Sequence, residues 1–251
     1  IMLCTRMTRE PSKNQLIKNQ SVLTNKVIQH TKVCIIYVYY EKKNRHKNQT
    51  NLAFFIKYGL DKSRWKDIDT TTLFVINGRQ CEVSIPERDD IIVWRRDYHG
   101  EYDIGSYRLG IEYVEKKYNK KFHNIFTHLF IMNAGVFGPI YGCKPKTHWL
   151  DPFLNKMEKE NSAICSPVIN FLKSNDAGGP GPRCQSYCSL IKINKNIYNL
   201  LLHTKISNLS EGTNNKNFPL HSHFVLTHHK KHHNIILIGE YGMTRILLNN
   251  G

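Results

Sequence analysis

The sequence predicts an α/β protein in which a mostly parallel central sheet is flanked by helices. Three apolar runs, at residues 32–40, 72–78 and 129–132, have the composition of strands that are buried on both faces. Segments with helical spacing separate these runs along the chain. Small or turn-forming residues follow the runs, and open α/β sheets bind their ligands at the carboxyl ends of their strands.

The first half of the chain begins the predicted sheet. Its predicted elements, in order, are a strand at 32–40, a helix from residue 51, strands at 72–78 and 90–97, and a helix at 107–118. The strand at 32–40 is placed in the sheet centre because it is rich in β-branched and aromatic residues. Asp103 precedes the second helix, where it either caps that helix or holds a sugar hydroxyl of a ligand.

The predicted strand at 129–132 runs into a bend around which the other elements are expected to lie. Asn133, Ala134 and Gly135 have short side chains, and Gly138 with Pro139 forms a further turn. Short side chains let another molecule approach the backbone closely. The bend is therefore a candidate ligand site, and an ordinary turn after a strand is the alternative.

The second half of the chain supplies the remaining elements. They are, in order, a helix at 148–157, a strand at 163–169, a loop at 175–183, an ordered segment at 185–191, a helix at 197–202, and an apolar run, an acidic turn and a helix over 235–248. Asp151 and Pro152 mark the start of the first of these helices, because an acceptor side chain and a preset φ favour a helix N-terminus. The loop follows from its run of glycine and proline.

One domain, residues 31–251, accounts for the ordered part of the 251-residue chain, and its last residues have the pattern of the middle of a fold. Residues 1–30 are polar and weakly periodic, which predicts a loosely attached leader. Residues 207–233 are rich in Asn, Lys and His, which predicts a flexible insertion. The histidine pairs at 228–229 and 232–233 have the spacing of metal ligands on a helix, but a solvated loop is the favoured interpretation.

The chain is strongly basic, with a formal net charge of +16. Such a charge is typical of proteins that bind nucleic acids, anionic membranes or phosphorylated substrates. The excess lies largely in Lys/Asn-rich segments, without the interleaved aromatic and arginine residues of a nucleic-acid platform. A solvated basic surface is therefore the favoured interpretation, and no nucleic-acid partner is expected.

Cysteine usage and hydropathy bear on the compartment. The seven cysteines are odd in number and irregularly spaced, which is typical of reduced thiols and predicts a cytoplasmic location. No apolar run reaches the roughly 18 residues that a membrane-spanning helix needs, so no membrane span is expected.

Six segments taken in order resemble one family of enzymes. They are residues 74–78, 102–108, 130–139, 149–154, 185–187 and 240–245. The chain from residue 32 to 251 resembles the GT-A-type glycosyltransferase-like proteins of large DNA viruses, algae and bacteria, which are related to those of rhamnan or polysaccharide synthesis. The resemblance implies a GT-A-like, Rossmann-like domain that moves a sugar from a nucleotide-sugar donor to a glycan or other hydroxyl acceptor. For a viral protein the compartment would be the host cytoplasm.

The resemblance also implies roles for particular residues. On the donor side it places Tyr39 and Tyr40 beside the base, Asn77 and Arg96 at the nucleotide, Asp103 at the ribose or donor sugar, Tyr107 in the same donor set, and Asn133, Ala134 and Gly135 at the diphosphate. On the acceptor side it places Trp149, Gln185 and Tyr187.

The same family suggests a divalent cation, Mn²⁺ or Mg²⁺, on the diphosphate. Many of its members carry an Asp-x-Asp signature where this chain has residues 133–135, which include no carboxylate. Because these cations usually need at least one carboxylate ligand, either Asp103 supplies it or the cations Arg96 and Arg183 offset the charge of the leaving group.

For catalysis, the resemblance implies a carboxylate base that activates the acceptor hydroxyl. Glu240 is the first candidate, and capping of the following helix is the alternative role for it. Asp151 is the second candidate, and it also has the position of a helix cap. Two other classes of function stay open, namely a non-catalytic domain that binds nucleotide sugars or carbohydrates, and a basic nucleic-acid-binding protein.

Overall fold

A computed structural model describes residues 3–4, 30–41, 46–61, 68–78, 80–97, 102–141, 147–173, 181–206, 223–227 and 235–250. Its strands are β1 (Leu3–Cys4), β2 (Lys32–Tyr40), β3 (Asp69–Asn77), β4 (Ile91–Arg96), β5 (His128–Asn133), β6 (Ile164–Ser166), β7 (Ile169–Leu172), β8 (Gly181–Cys184), β9 (Cys188–Lys192), β10 (Lys205–Ile206) and β11 (His223–Phe224). Its helices are α1 (His46–Phe54), α2 (Tyr102–Tyr118), α3 (Asp151–Glu160), α4 (Lys195–His203) and α5 (Tyr241–Asn249). Single π-helical turns at Phe55–Gly59 and Ile235–Glu240 extend α1 and precede α5, and a 3₁₀ turn lies at Phe122–Asn124.

The central sheet has the strand order β1-β6-β9-β5-β2-β3-β4. Strands β5, β2, β3 and β4 run parallel to one another. Strand β9 is antiparallel to its neighbours β5 and β6, and the two-residue β1 is antiparallel to β6. The predicted class, a mostly parallel sheet flanked by helices, is therefore confirmed.

Two apolar cores lie on opposite faces of the sheet. Val33, Ile35 and Tyr37 of β2 point into the core that α1 and α3 cover, whereas the alternate residues of β2 point into the core beneath α2, α4 and α5. A Cβ on Gly110 of α2 would lie 3.2 Å from Ile36 and from Leu73, so α2 crosses the sheet very closely. Burial on both faces explains why the parallel strands could be recognised as continuous apolar runs.

The order of the strands reverses at β2. Its next strand, β3, lies on one side of β2, and β5 lies on the other side. The connection through α1 covers one face of the sheet and the connection through α2 covers the other. In open α/β sheets, such a reversal of strand order leaves a crevice at the carboxyl ends of the two strands, where ligands bind.

Helix boundaries differ from the prediction at two acidic residues. Helix α2 begins at Tyr102, so Asp103 lies within its first turn and does not precede the helix. The prediction was wrong because this first turn lacks the apolar stripe that marks the rest of the helix. Asp151 is the first residue of α3 and not its cap, since Leu150 holds the N-cap position and donates its backbone N–H to His148 Nδ1 at 3.0 Å.

Two further predictions were wrong because of packing that a local pattern does not contain. Residues 181–183 of the predicted loop belong to β8, which pairs with β7 in a two-stranded antiparallel sheet where Pro182 is tolerated. The apolar run before Glu240 does not end in a turn. It forms a π-helical turn that continues directly into α5, with Glu240 at φ −72° and ψ −54°.

Parts of the predicted leader and insertion are also visible. Leu3 and Cys4 pair with β6, and β10, which directly precedes the predicted insertion, pairs with β11 inside it. Outside the described residues lie residues 1–2, 5–29, 207–222 and 228–233. The last of these ranges contains both histidine pairs. Among the helices of the described residues, none is long and apolar enough to cross a membrane.

Removal of the hydroxyl group is expected to change the free energy of unfolding in opposite directions at two tyrosines of β2. The buried Tyr37 hydroxyl has no hydrogen-bond partner among the described residues, whereas the Tyr39 hydroxyl donates to Glu41 Oε2 at 2.9 Å. Because an unpaired buried polar group is costly, Tyr37→Phe is expected to raise the free energy of unfolding by about 1 kcal/mol. The matched change Tyr39→Phe should lower it by about 1 kcal/mol. Urea titrations followed by circular dichroism measure both values, and a loss of stability in the Tyr37 variant would contradict the assignment.

Candidate functional site

The crevice carries a row of polar side chains on its α2 side. Tyr40, Asn77 and Arg96 end the strands β2, β3 and β4, and they stand in register with one another. Parallel strands in register place such residues on the same face of the sheet. The structure therefore brings together three of the residues that were predicted to contact the donor.

Arg96 is the cation of this row, and Asn77 holds it in place. Arg96 Nη1 donates to Asn77 Oδ1 at 2.7 Å, and its guanidinium carbon lies 5.5 Å from the Trp94 ring centre. Asn77 Nδ2 donates to Ser106 Oγ at 2.9 Å, and Ser106 donates to the carbonyl of Tyr102 at 2.6 Å. Asn77 is only 2% exposed, so it does not reach a ligand directly as predicted but positions Arg96 against the first turn of α2.

The bend after β5 is fixed by hydrogen bonds on both faces of the sheet. Asn133 Oδ1 accepts from the backbone N–H of Gly135 at 2.8 Å, and Asn133 Nδ2 donates to Asp103 Oδ2. The backbone of Ala134 donates to Val38 O at 3.0 Å and accepts from Asn51 Nδ2 at 2.7 Å. A Cβ on Gly135 would lie 2.9 Å from Asn133 Oδ1, so only glycine fits without a shift of that amide. The bend is a rigid feature of the crevice.

Asp103 and Glu240 both influence the pKa of a third residue, Tyr107. The Tyr107 ring is fully buried, and its hydroxyl has no hydrogen-bond partner among the described residues. Burial raises the pKa of Tyr107 well above its usual range, and the nearby carboxylates Asp103 and Glu240 raise it further. The two carboxylates, which are far apart in sequence, therefore lie within electrostatic reach of one phenol.

Close packing explains how Glu240 reaches this position. A Cβ on Gly239 would lie 2.9 Å from Ile104, so the π-helical turn before α5 lies directly against the first turn of α2. The backbone N–H of Cys184 donates to Thr244 Oγ1 at 2.9 Å, which ties α5 to β8. Together these contacts hold Glu240 beside the helical turn that carries Asp103.

Three aromatic residues predicted for the site are buried, and they do not present their rings to the crevice. Tyr39 and Tyr107 have no exposed surface, and Trp149 is 8% exposed with its Nε1 donating to Gly59 O at 3.1 Å. Tyr39 points into the core beneath α1 and α3, because neighbouring residues of a strand face opposite sides. The predicted contact of Tyr39 with a base is therefore wrong, and Tyr107 supports the crevice from beneath.

Of the remaining predicted residues, two lie in a turn beside the bend and two lie elsewhere in the fold. The turn that contains Gln185 and Tyr187 adjoins the bend, since Tyr187 O accepts from the backbone N–H of Asn133 at 3.2 Å. Asp151 begins α3 on the opposite face of the sheet from α2, so it is not among the groups that act on Tyr107. Arg183 is 3% exposed, and its Nη1 donates to Pro182 O at 2.7 Å.

Sequence reasoning missed Glu41, which directly follows β2 at the strand-order reversal. Its Oε2 accepts from the Tyr39 hydroxyl at 2.9 Å and from the backbone N–H of Glu82 at 3.1 Å. Its Oε1 accepts from Gln49 Nε2 at 2.9 Å, and the same amide donates to Glu82 Oε2 at 3.0 Å. A carboxylate immediately after a buried strand was the available signal. Glu41 fixes the end of β2 relative to α1.

The donor atoms at the bend do not form a divalent-cation site of the usual kind. Asn133 Oδ1 already accepts from Gly135, and Asp103 Oδ2 accepts from Asn133. Within the described part of the chain, no group of three or more His, Cys, Asp or Glu side chains is arranged to hold a metal ion. Mg²⁺ and Mn²⁺ prefer several oxygen ligands that include carboxylates.

His148 makes the stability of the region near α3 depend on pH. Burial lowers the pKa of His148 from 6.5 to about 4, and its Nδ1 must be unprotonated to accept from Leu150. In the unfolded chain the ring takes up a proton near pH 6.5. The folded form is thus stabilised above pH 6.5, and this contribution is lost as the pH falls towards 4.

The change His148→Asn tests this dependence, because asparagine offers an acceptor oxygen that does not titrate. Between pH 7 and 4.5 the parent protein should lose about 1–2 kcal/mol more stability than the variant. The parent and the variant will both retain some acid sensitivity from His128, whose pKa burial also lowers to about 4. Urea unfolding at a series of pH values measures the difference, and parallel curves for the two proteins would contradict the role of His148.

Comparisons with known proteins do not add an assignment to this geometry. No protein-family model matches the chain, and no curated protein matches it.

Proposed function

We propose that the protein is a glycosyltransferase that moves a sugar from a nucleotide-sugar donor to a hydroxyl group of a glycan or similar acceptor. One observation supports this proposal above the others. Asp103 accepts a hydrogen bond from Asn133 of the bend that follows β5, and Gly239, the neighbour of Glu240, packs against Ile104, the neighbour of Asp103. Two carboxylates beside a side-chain-poor bend suit a sugar that must be held at its hydroxyl groups while an acceptor is deprotonated.

The donor would bind along the polar row of the crevice. The first turn of α2 directs the positive end of the helix dipole at the edge of the sheet, which favours phosphate groups. Arg96 adds a guanidinium that can bind phosphate oxygens in a bidentate manner. The Tyr40 ring is 38% exposed and lies 3.7 Å from where a Cβ on Gly78 would stand, so it offers a surface for a base.

The chemistry assigns different tasks to the two carboxylates. Asp103, fixed by Asn133, accepts hydrogen bonds from hydroxyl groups of the ribose or donor sugar. Glu240 takes the proton of the acceptor hydroxyl while the acceptor oxygen bonds to the anomeric carbon. The bond between that carbon and the diphosphate oxygen breaks, and the nucleoside diphosphate leaves with the electron pair. Arg96 and the α2 N-terminus offset the charge that develops on this leaving group.

A domain that binds nucleotide sugars without catalysis is the second candidate. Asn133 favours this candidate, because it is an amide at the position where the family that the chain resembles has metal-binding carboxylates. This amide donates a hydrogen bond to Asp103. Such a domain would keep the crevice and release no product.

Incubation of the purified protein with a panel of nucleotide sugars, with and without Mn²⁺, tests the proposal. Release of nucleoside diphosphate, followed by a coupled assay, would support the transferase. Saturable binding in calorimetry without any release would support the binding domain. If no nucleotide sugar either binds or reacts, both candidates are wrong. A binding signal that falls with salt on generic nucleic acid would support a third class of function.

A further inference from the structure

An aromatic pocket lies beside the crevice, on the face of the sheet that α1 and α3 cover. Its volume is about 520 Å³, which is in the range of small-molecule sites. We define it by six of its lining residues, Phe130, Met132, Phe137, Ile140, Trp149 and Phe153. Its walls come from β5, from the loop that follows the bend, and from the start of α3.

The described lining residues of the pocket carry no charge, in a protein of net charge +16. None of its described lining residues is Lys, Arg, Asp or Glu. His148 also lines it and is neutral at pH 7, because burial lowers its pKa to about 4. Trp149 Nε1 donates to Gly59 O at 3.1 Å, and the Tyr141 hydroxyl donates to Tyr58 O at 3.0 Å. The described part of the walls therefore suits an apolar group and offers no cation to a phosphate or a carboxylate.

The geometry of the walls suits a flat ring. Phe130 meets Trp149 edge to face, with ring centres 5.0 Å apart, and meets Phe153 in the same way at 5.3 Å. At the rim, Phe137 is 47% exposed and Ile140 is 76% exposed, and the Phe137 ring centre lies 4.1 Å from that of Phe54. Aromatic pairs prefer edge-to-face and offset arrangements, so an aryl group can extend this cluster. Large apolar side chains exposed together at a pocket rim are typical of a binding surface.

The pocket and the crevice meet at the end of β5. Met132 lines the pocket, and Asn133, the next residue, begins the bend and bonds Asp103 on the other face. Cys188 pairs with Met132, lines the pocket, and also acts on the pKa of Tyr107. A molecule with its apolar part in the pocket would thus place an attached hydroxyl group near the bend.

We infer that the acceptor is a glycoside or alcohol whose hydroxyl-bearing part is joined to an aryl group, and that the aryl group binds in the aromatic pocket. The role of this ligand as acceptor rests on the proposed transferase function. Its binding does not, because the pocket can be tested without a donor.

Calorimetry on the full chain with phenyl, octyl and methyl glycosides of the same sugar tests the inference directly. Because burial of a phenyl group is worth a large part of the binding free energy of a small ligand, the phenyl glycoside should bind about tenfold or more tightly than the methyl glycoside. It should also bind more tightly than the octyl glycoside. Equal affinity for phenyl and methyl glycosides, or a preference for the octyl glycoside, would overturn the inference.

Two exposed phenylalanines give a matched pair of variants. Phe137→Ser should weaken binding of the phenyl glycoside at least about threefold, since this ring lines the pocket rim. Phe171→Ser makes the same change at a ring that is 72% exposed and does not line the pocket, so it should leave binding unchanged. Thermal unfolding verifies that both variants fold. As a second probe of the rim, Ile140→Asp should also weaken binding, and equal affinities of all three variants and the parent would overturn the assignment.

Donor turnover separates this inference from the proposed function. Binding of the phenyl glycoside without any transfer would support the aryl-binding pocket and contradict the transferase function. Transfer to methyl and phenyl glycosides with equal kcat/KM would support the transferase function and contradict the inferred aryl acceptor.

Discussion

Glu240→Gln is expected to lower the rate of sugar transfer by about 10²- to 10⁴-fold, the usual contribution of a general base. Glutamine has nearly the same shape as glutamate but cannot take up the proton of the acceptor hydroxyl. The packing of Gly239 against Ile104 and the bond of Thr244 to Cys184 do not involve the Glu240 carboxylate, and thermal unfolding verifies that the variant folds. Initial rates with saturating donor and acceptor measure the effect.

Glu158→Gln is the matched control for this variant. Glu158 is an exposed residue of α3, on the opposite face of the sheet, so the same chemical change should leave the rate unchanged. Calorimetry should also show that Glu240→Gln binds nucleoside diphosphate as tightly as the parent, because the base contacts the acceptor and not the nucleotide. Full turnover in the Glu240 variant would remove this residue from the mechanism.

Arg96→Gln has the second large expected effect, a loss of about ten- to a hundredfold in affinity for nucleoside diphosphate. Charge-assisted hydrogen bonds contribute about 1.5–3 kcal/mol each, and glutamine at this position keeps a polar side chain without the charge. Asn77, which holds Arg96 at 2.7 Å, is buried, so the guanidinium has a fixed position towards the first turn of α2. Isothermal titration with the diphosphate, at constant ionic strength, measures the loss.

The adjacent Arg95 provides the control, because consecutive residues of a strand face opposite sides of the sheet. Arg95 is exposed and lines a separate surface groove with Pro86 and Ile91. Arg95→Gln removes the same charge from the same strand, so long-range electrostatics change almost equally in the two variants. Equal losses of affinity would show that general basic charge, and not Arg96 in the crevice, binds the nucleotide.

The strands could be predicted from the sequence because parallel strands are buried on both faces. The predicted strand at 32–40 has the same bounds as β2, and the run at 129–132 lies within β5. The bend was also predicted, because residues 133–135 have short side chains. In the structure Gly135 has no room for a side chain against Asn133. These features are local, and a short window of sequence contains them.

The side chains that face the crevice could not be predicted in the same way. Alternation indicates that Tyr39 and Tyr40 point to opposite faces, but the face that meets a ligand depends on where α1 and α2 pack. Glu240 was predicted in a turn, because a short apolar run such as residues 235–238 suits a strand and a helix equally well. Its actual place in a helical segment follows from contact with Ile104, which is remote in sequence. Residues 181–184 form a strand only because β7 pairs with them.

Structures of the full chain with UDP and, separately, GDP, each in the presence of Mn²⁺, test the central claim most directly. The claim is that the strand ends β2 to β5 and the first turn of α2 form the binding site for a diphosphate-linked sugar. The account predicts density for the diphosphate between Arg96 and the N-terminus of α2, with the base beside Tyr40. Density for the diphosphate in the aromatic pocket, or on the outer face of β4, would contradict it.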